Sequence, residues 1–139
     1  MKKLFACVLA LILIGCAALA EITNLHDLQD IIYKTAPMDL MAQSIRASIK
    51  GKIISIEYVT GNHYDMILEV DDPKAKRPLG SDTPLVIGHF RLHLDSIDEA
   101  PFAVGDEALI VGDLNSSYST CLVPCILVDE INGYQYDEF

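Results

Sequence analysis

The stretch IKGKIISIEYV, residues 49–59, decides the fold of this chain because its apolar side chains recur at every second position. A period of two is typical of a strand with one buried face. Ile49 lies in phase with Gly51, but the apolar set further along is one residue out of phase with them. That inward set is Ile54, Ile56 and Tyr58. The change of phase predicts a bulge or bend at Gly51.

A tight hairpin is predicted directly after this strand. Thr60-Gly61-Asn62 supplies the turn, and HYDMILEV, residues 63–70, returns with clean alternation apart from Ile67. One face of the returning strand carries Tyr64, Met66, Leu68 and Val70, and the other carries His63, Asp65 and Glu69. The two stretches therefore predict the first antiparallel pair of a sheet.

Three more strands follow a loop at residues 71–84, which holds three prolines and the basic residues Lys74, Lys76 and Arg77. The third strand, LVIGHFRLHL at 85–94, points Val86, Gly88, Phe90, Leu92 and Leu94 inward and His89, Arg91 and His93 outward. The fourth follows the turn Gly105-Asp106 and runs through Ala108, Ile110 and Gly112. The fifth, CLVPCILVDEI at 121–131, contains Pro124, which indicates an edge position or a kink.

Helical periodicity precedes the strands. Asn24 is a candidate N-cap with Asp27 three residues on, and the apolar residues that follow have helical spacing. These are Leu25, Leu28, Ile31 and Ile32. Pro37 begins a second predicted helix, with Met38, Met41, Ile45 and Ile49 on one side. We expect the methionines to pack in the core against the sheet.

The first twenty residues have the features of a signal peptide. Lys2 and Lys3 precede the apolar run LFACVLALILIG, and Ala18-Leu19-Ala20 has the small-x-small pattern that a signal peptidase requires. We therefore predict cleavage after Ala20, in preference to an uncleaved membrane anchor, because the apolar run is shorter than the ~20 residues that span a bilayer.

The same N-terminal segment also contains a candidate lipoprotein cleavage site before Cys16. Leu13-Ile14-Gly15-Cys16 resembles the lipobox of bacterial lipoproteins, which would make Cys16 the lipidated residue. The residues after Cys16 are still apolar, whereas anchored proteins carry a polar tether there. The sequence therefore favours a secreted protein, with a lipid-anchored protein as the alternative, and both place the domain outside the cytoplasm.

Charge narrows the classes of ligand. The chain has 10 basic and 20 acidic residues, a formal net charge of −10. Cleavage after Ala20 removes Lys2 and Lys3 and no acid, so the mature charge becomes −12. Such a surface repels phosphate backbones and anionic lipid, which makes nucleic acid an unfavoured partner.

With 139 residues, of which 51% are apolar, the chain can bury one core. The stretches IKGKIISI, YDMILEV, VIGHF, VGDEALIVGDL and CILVDEING resemble, in order and spacing, the strands of an OB-fold domain of the bacterial tRNA_anti-like type. The resemblance implies a mainly β, five-stranded OB-fold barrel with no established common activity. We predict a signal peptide at 1–20, a helical segment at 21–47, the barrel at 48–133 and an acidic tail at 134–139.

Ligands of OB folds bind on the outer face of the second and third strands and the loops beside it. That face would carry His63, Asp65, Ile67, Glu69, His89, Arg91 and His93. It lacks the basic groove and the stacking rings, other than histidines, that single-stranded nucleic acid requires. The histidines with Asp65 or Glu69 are also a candidate metal site, but cross-strand pairing of histidines and Arg91 with the two acids is the favoured interpretation.

The remaining candidate chemistry is sparse. Cys121 and Cys125 are a candidate disulfide if the chain bends at Pro124, since in a straight strand they lie ~13 Å apart. The sequence has no nucleophile elbow, zinc-protease motif or calcium loop. It therefore favours a non-enzymatic binding module without a cofactor, whose unknown partner is a protein or a glycan. Single-stranded nucleic acid binding and a metal-dependent accessory role are the alternatives.

Overall fold

The computed structural model describes residues 21–92 and 100–135, and for Tyr134 and Gln135 it describes the backbone alone. The elements are α1 (Leu25–Lys34), α2 (Pro37–Ala42), β1 (Arg46–Thr60), β2 (His63–Glu69), β3 (Leu85–Arg91), β4 (Glu107–Leu114), β5 (Cys125–Ile131) and β6 (Tyr134–Gln135). No helix in these two ranges is long and apolar enough to cross a bilayer.

The five long strands close into a barrel. β1 pairs with β2 and β4, β2 pairs with β3, and β4 pairs with β5, all antiparallel. A short parallel pairing of β3 with β5 completes the circle. This is the topology of the OB fold, so the predicted five-stranded OB-fold barrel with a helical segment before it is confirmed. The two-residue β6 extends the sheet beyond β5.

β1 bends at a bulge, as its sequence predicts, but at a different residue. Ile53 and Ser55 pair with the consecutive residues Leu68 and Ile67, so Ile54 is the extra residue. Ile53 is buried and Ile54 is exposed, which is the reverse of the predicted phase at this point. Beyond the bulge, Ile56 and Tyr58 point in the predicted inward direction. Ile56 is only partly buried and Tyr58 is exposed, because β1 extends past the core.

Gly51 has another role in β1. A Cβ atom at Gly51 would lie 2.7 Å from the carbonyl oxygen of Glu69, which is closer than non-bonded atoms approach. The glycine therefore lets β1 pass close to the end of β2, where the strand turns from one side of the barrel to the other.

The predicted inward faces of β2, β3 and β4 line the core. Met66 and Leu68 of β2, Val86 and Phe90 of β3 and Ile110 of β4 are fully buried. The register between β2 and β3 has no bulge and sets Leu68 opposite Val86 and Met66 opposite Gly88. The predictions for Leu94 and His93 concern residues outside the described ranges.

The helical segment covers the barrel through α1 alone. Asn24 caps α1 as predicted, since its side-chain oxygen accepts a hydrogen bond from the Asp27 backbone N–H at 3.3 Å. Leu25 and Leu28 join the barrel core and are fully buried. Ile22 adds a short parallel bridge to Ala47 at the start of β1.

The prediction for the second helix is wrong in its length and in its packing. α2 ends at Ala42, and Ile49, which was placed on its apolar side, lies in β1 opposite Ile110. Met38 and Met41 are 84% and 64% exposed, so they are not core residues. The reason is that residues from Arg46 onward pair with β4 as part of β1. The helix before them is therefore only six residues long, and Leu40 is its buried residue.

α1 is tied to two loops by polar contacts that the sequence did not reveal. Gln29 is 4% exposed, and its amide nitrogen donates to the carbonyl oxygens of Lys76 at 2.9 Å and Leu122 at 3.3 Å. Its amide oxygen accepts from the Lys76 N–H at 2.8 Å. Asp72 accepts hydrogen bonds from the backbone N–H of His26 at 3.0 Å and of Lys74 at 3.0 Å. We call these contacts the latch.

β5 is shorter than predicted. It begins at Cys125, because Pro124 has no N–H to donate to a neighbouring strand. Pro124 instead accepts a hydrogen bond from the Ile87 N–H at 2.9 Å, just where the parallel pairing of β3 with β5 starts. Cys121 therefore lies in the loop between β4 and β5.

Candidate functional site

The outer face of β2 and β3 brings three of the predicted site residues together. The register places Asp65 directly opposite His89. The His89 Nδ1 atom lies 2.5 Å from Asp65 Oδ1, so a predicted cross-strand pair is present. The imidazole of His63 stacks on that of His89, with ring centroids 5.4 Å apart and planes inclined by 18°. His63, His89 and Asp65 therefore form one polar group on this face.

The other predicted residues of this face do not join that group. Glu69 lies at the far end of β2, where it accepts a hydrogen bond from the Thr83 hydroxyl at 3.4 Å and lines a separate groove beside loop 71–84. Arg91 lies opposite His63 at the end of β3. His93 falls outside the described residues, as do Cys16 and Ala20.

A cleft of about 580 Å³ opens beside the polar group. The apolar part of its lining consists of Val59 of β1, Ile87 of β3 and Cys125 and Leu127 of β5. The parallel pairing of β3 with β5 sets Ile87 opposite Cys125 and His89 opposite Leu127, which places polar and apolar side chains next to each other. We call this site the β2–β3–β5 cleft. Its volume is within the ~300–1,000 Å³ that ligand pockets occupy.

The loop between β4 and β5 forms a wall of the cleft with Asn115 and Tyr118. Hydrogen bonds within the loop fix its path. The Ser119 hydroxyl donates to the Asn115 carbonyl oxygen at 2.7 Å and accepts from the Cys125 N–H at 2.8 Å. The Tyr118 side chain is nevertheless 78% exposed. The loop therefore presents an aromatic ring to solvent from a well-bonded backbone.

Sequence reasoning missed Tyr118 as a site residue. The signal that could have found it is its position between β4 and β5, because this loop lies beside the ligand face in OB folds. Only the closure of the barrel brings the loop next to β2, which lies about fifty residues earlier in the sequence.

The surroundings of His63 and Cys125 in the cleft favour the neutral forms of these two side chains. Burial lowers the pKa of His63 below 6.5, and the neighbouring His89 and Arg91 lower it further. Burial and, to a lesser degree, the negative charge of Asp65 raise the pKa of the Cys125 thiol to about 12. Cys125 is therefore a protonated thiol at neutral pH, which is a poor nucleophile.

Both cysteines of the candidate disulfide are free thiols in the structure. Cys125 is buried and lines the β2–β3–β5 cleft, whereas Cys121 faces a smaller pocket beside the latch, with His26 and Gln29. The disulfide stays a prediction. Among residues 21–92 and 100–135, no group of three or more His, Cys, Asp or Glu side chains is arranged to hold a metal ion.

Comparison with known proteins assigns no family. No family model matches the chain, and no curated protein is significantly similar to it. Among solved structures, the chain is similar to a lipoprotein of Klebsiella pneumoniae subsp. pneumoniae to which nucleic acid binding has been ascribed. The sequences are 16% identical, the TM-score is 0.48, and the match covers 81% of this chain and 91% of the other. A likeness this distant indicates neither a ligand nor a location for this chain.

Proposed function

We propose that this chain is an exported, non-enzymatic binding module that holds its ligand in the β2–β3–β5 cleft. The observation that carries the proposal is the cleft itself. It combines an apolar floor, a convergent polar group of His63, Asp65 and His89, and the exposed ring of Tyr118. Sites of this kind bind ligands through apolar contact and use a few polar groups to set orientation.

Binding explains the cleft better than catalysis does. Cys125 is the cysteine in its lining, and the raised pKa of this thiol keeps it protonated at neutral pH. The His89 Nδ1 atom lies 2.5 Å from Asp65 Oδ1, and this contact fixes the orientation of the imidazole. We propose no cofactor.

The favoured ligand is a protein or a glycan. Single-stranded nucleic acid is the alternative, and Tyr118 is a ring on which a base could stack. The acidic balance of the chain opposes that alternative, since Asp65 lies in the cleft and the whole sequence has twice as many acidic as basic residues. A metal-dependent accessory role that uses His63, His89 and His93 is the remaining alternative.

Export is the second part of the proposal, and the sequence of residues 1–20 supports it. We propose that the protein is secreted after cleavage at Ala20, and the alternative is a membrane-anchored lipoprotein that begins at Cys16. The intact mass of the protein from its host decides between them. A chain that begins at Glu21 supports secretion, and a lipidated chain that begins at Cys16 supports the anchor.

The ligand site is tested by screening the mature protein against a glycan array, a phage-displayed peptide library and an oligothymidine strand. Each probe that binds is then measured on Tyr118→Ala, which removes the exposed ring, and on Ile87→Lys, which places a charge in the floor. Tyr33→Ala is the matched control, because Tyr33 is an exposed tyrosine on α1. We expect both cleft variants to weaken binding at least about tenfold and the control to bind normally.

Equal binding by the wild type and both cleft variants would show that the ligand binds outside the β2–β3–β5 cleft. Submicromolar binding of the oligothymidine strand that weakens steeply with salt would favour the nucleic acid alternative. Circular dichroism on each variant separates loss of the site from loss of the fold.

A further inference from the structure

We infer that the β2–β3–β5 cleft accepts one apolar side chain of a protein partner and that a neighbouring lysine or arginine of that partner lies over an acidic row on the barrel. This inference rests on the proposed function, since it names the class of ligand for the same cleft.

The floor of the cleft favours an apolar side chain over a sugar. Cys125 is buried, and Ile87 and Leu127 are partly buried beside it, so the deepest part of the cleft presents carbon and sulfur atoms. A sugar hydroxyl placed there would lose its water without gaining a hydrogen bond, which is unfavourable. A leucine, phenylalanine or methionine side chain would instead remove apolar surface from water on both partners.

The walls suit the backbone and the flanks of a peptide. His63 and His89 carry ring nitrogen atoms along one side of the cleft, and Tyr118 stands on the loop between β4 and β5 at another. Peptide N–H and C=O groups need hydrogen-bond partners when they lose water, and aromatic rings give large contact area at low cost in conformational entropy. The cleft thus has polar groups at its side and apolar atoms at its base, as an anchor residue within a peptide requires.

Carboxylates on neighbouring strands form the acidic row. On the outer face, Glu57 of β1 lies opposite Asp65 of β2, and Asp65 lies opposite His89. Across β5, Leu127 lies opposite Asp113 of β4. Glu57, Asp65 and Asp113 therefore flank the cleft along one line across the strands, and we call these three residues the acidic row.

The basic side chains near the acidic row compensate only part of its negative charge. Arg46 makes two hydrogen bonds of 2.8 Å with the carboxylate of Asp129 and contacts Asp113 only at 3.5 Å. Arg91 lies opposite His63 and is a second basic residue beside the cleft, and His89 pairs with Asp65. Glu57 and the more distantly contacted Asp113 therefore offer complementary charge to a basic residue of the partner, whereas an acidic residue would be repelled.

The test is selection of a random phage-displayed peptide library on the mature protein, after which each recovered peptide is measured on the wild type, Tyr118→Ala and Ile87→Lys. We expect the recovered peptides to share a leucine, phenylalanine or methionine within a few residues of a lysine or arginine. In fluorescence anisotropy with a recovered peptide, replacing its apolar residue by alanine should raise Kd at least about tenfold.

A double-mutant cycle measures how much the pairing of the acidic row with the basic residue of the peptide contributes to binding. We expect Asp113→Asn to raise Kd about two- to fivefold, and replacement of the basic residue of the peptide by glutamine to have the same effect. The two changes together should raise Kd no more than either change alone, because both remove the same charge pair. Asp39→Asn is the control, because Asp39 is an exposed carboxylate on α2. It should leave Kd unchanged.

Peptides without a shared apolar residue, or peptides that bind Tyr118→Ala and Ile87→Lys as tightly as the wild type, would overturn this inference. A glycan array that yields cleft-dependent ligands when the peptide library yields none would also overturn it, while leaving the proposed function intact. If ligands of either class bind and none depends on the cleft, both the inference and the proposed function are wrong.

Discussion

The latch and the β2–β3–β5 cleft are both built from polar side chains of different elements, but they use those side chains in opposite ways. At the latch, Gln29 is almost fully buried and its amide is hydrogen-bonded to the backbone of Lys76 and Leu122. At the cleft, the Tyr118 ring is 78% exposed, and the partly buried Ile87 and Leu127 line an open cavity. The difference teaches that contacts satisfied within the chain stabilise the fold, whereas groups left facing solvent on a rigid frame are available to a ligand.

The largest effect on stability is expected beneath the latch. Leu28→Ala removes a fully buried side chain that α1 places in the barrel core, and should lower the free energy of unfolding by about 2–5 kcal/mol. Leu79→Ala is the matched control, because Leu79 is fully exposed on loop 71–84, and it should change stability by less than about 0.5 kcal/mol. Urea denaturation measures both. Equal midpoints would mean that α1 does not pack on the barrel.

The latch itself should contribute the next largest effect. Gln29→Ala removes the part-buried hydrogen bonds that the Gln29 amide makes with the N–H and C=O of Lys76, and should cost about 1–3 kcal/mol. Gln43→Ala, at an exposed glutamine, is the control for the loss of a glutamine side chain. Tyr118→Ala sharpens the comparison, since it should leave stability within about 0.5 kcal/mol of the wild type. A cost at Tyr118 as large as that at Gln29 would contradict the division between latch and cleft.

Strong acid should weaken the latch through Asp72. Burial alone would raise the pKa of Asp72, but hydrogen bonds from the side chain and backbone of His26 and from the Lys74 backbone hold it below its ordinary 3.8. A lowered carboxyl pKa stabilises the fold above 3.8, and this stability is lost as the pH falls through the folded pKa. Asp72→Asn should therefore cost about 1 kcal/mol at neutral pH and remove this loss in acid.

The measurement is the urea midpoint as a function of pH for the wild type, Asp72→Asn and the control Asp39→Asn, whose carboxylate is exposed on α2. The profiles of the wild type and Asp72→Asn should converge below pH 3.8. Profiles that stay parallel would show that Asp72 does not carry the acid sensitivity.

The smallest effect is expected from His63 in the cleft. Its pKa is lowered from 6.5 by burial and by His89 and Arg91, so the folded state favours the neutral ring. The corresponding stability is fully present above pH 6.5 and is lost as the pH falls below it. His63→Gln should flatten the stability profile between pH 6.5 and about pH 5, by less than Asp72→Asn changes it in acid. If the wild type and His63→Gln lose stability in parallel over this range, another group titrates there.

Much of the barrel could be predicted because strands leave a period of two in the sequence. The inward faces of β2, β3 and β4, the hairpin at Gly61-Asn62 and the N-cap Asn24 all follow from local patterns. The wrong predictions concern places where one element ends or bends. Ile49 fits both a helical and a strand period, and pairing with β4 decides in favour of the strand. The bulge at Ile54 could be inferred from the change of phase, but its position depends on the register with β2.

The candidate site was predictable only in part. The alternation in β2 and β3 placed Asp65 and His89 on one outward face, and the structure pairs them. The same alternation grouped Glu69 with Asp65 and His89. In the structure Glu69 lies beside Thr83, near the other end of β2. This separation could not be predicted, because alternation shows which face a residue is on, but not how far along the strand it lies. Tyr118 and the apolar contribution of β5 could not be found this way, since no local pattern shows which strand closes a barrel.

The sequence by itself determined that this chain forms a mainly β barrel with a capped helix before it, because burial of one face of each strand leaves a local, periodic trace. Only the tertiary structure decided that β5 pairs with β3, that Gln29 closes the latch, and that Tyr118 stands beside His63 and Asp65. The physical reason is that these contacts join residues far apart in the chain, and their formation depends on the register and closure of the whole barrel rather than on any short segment.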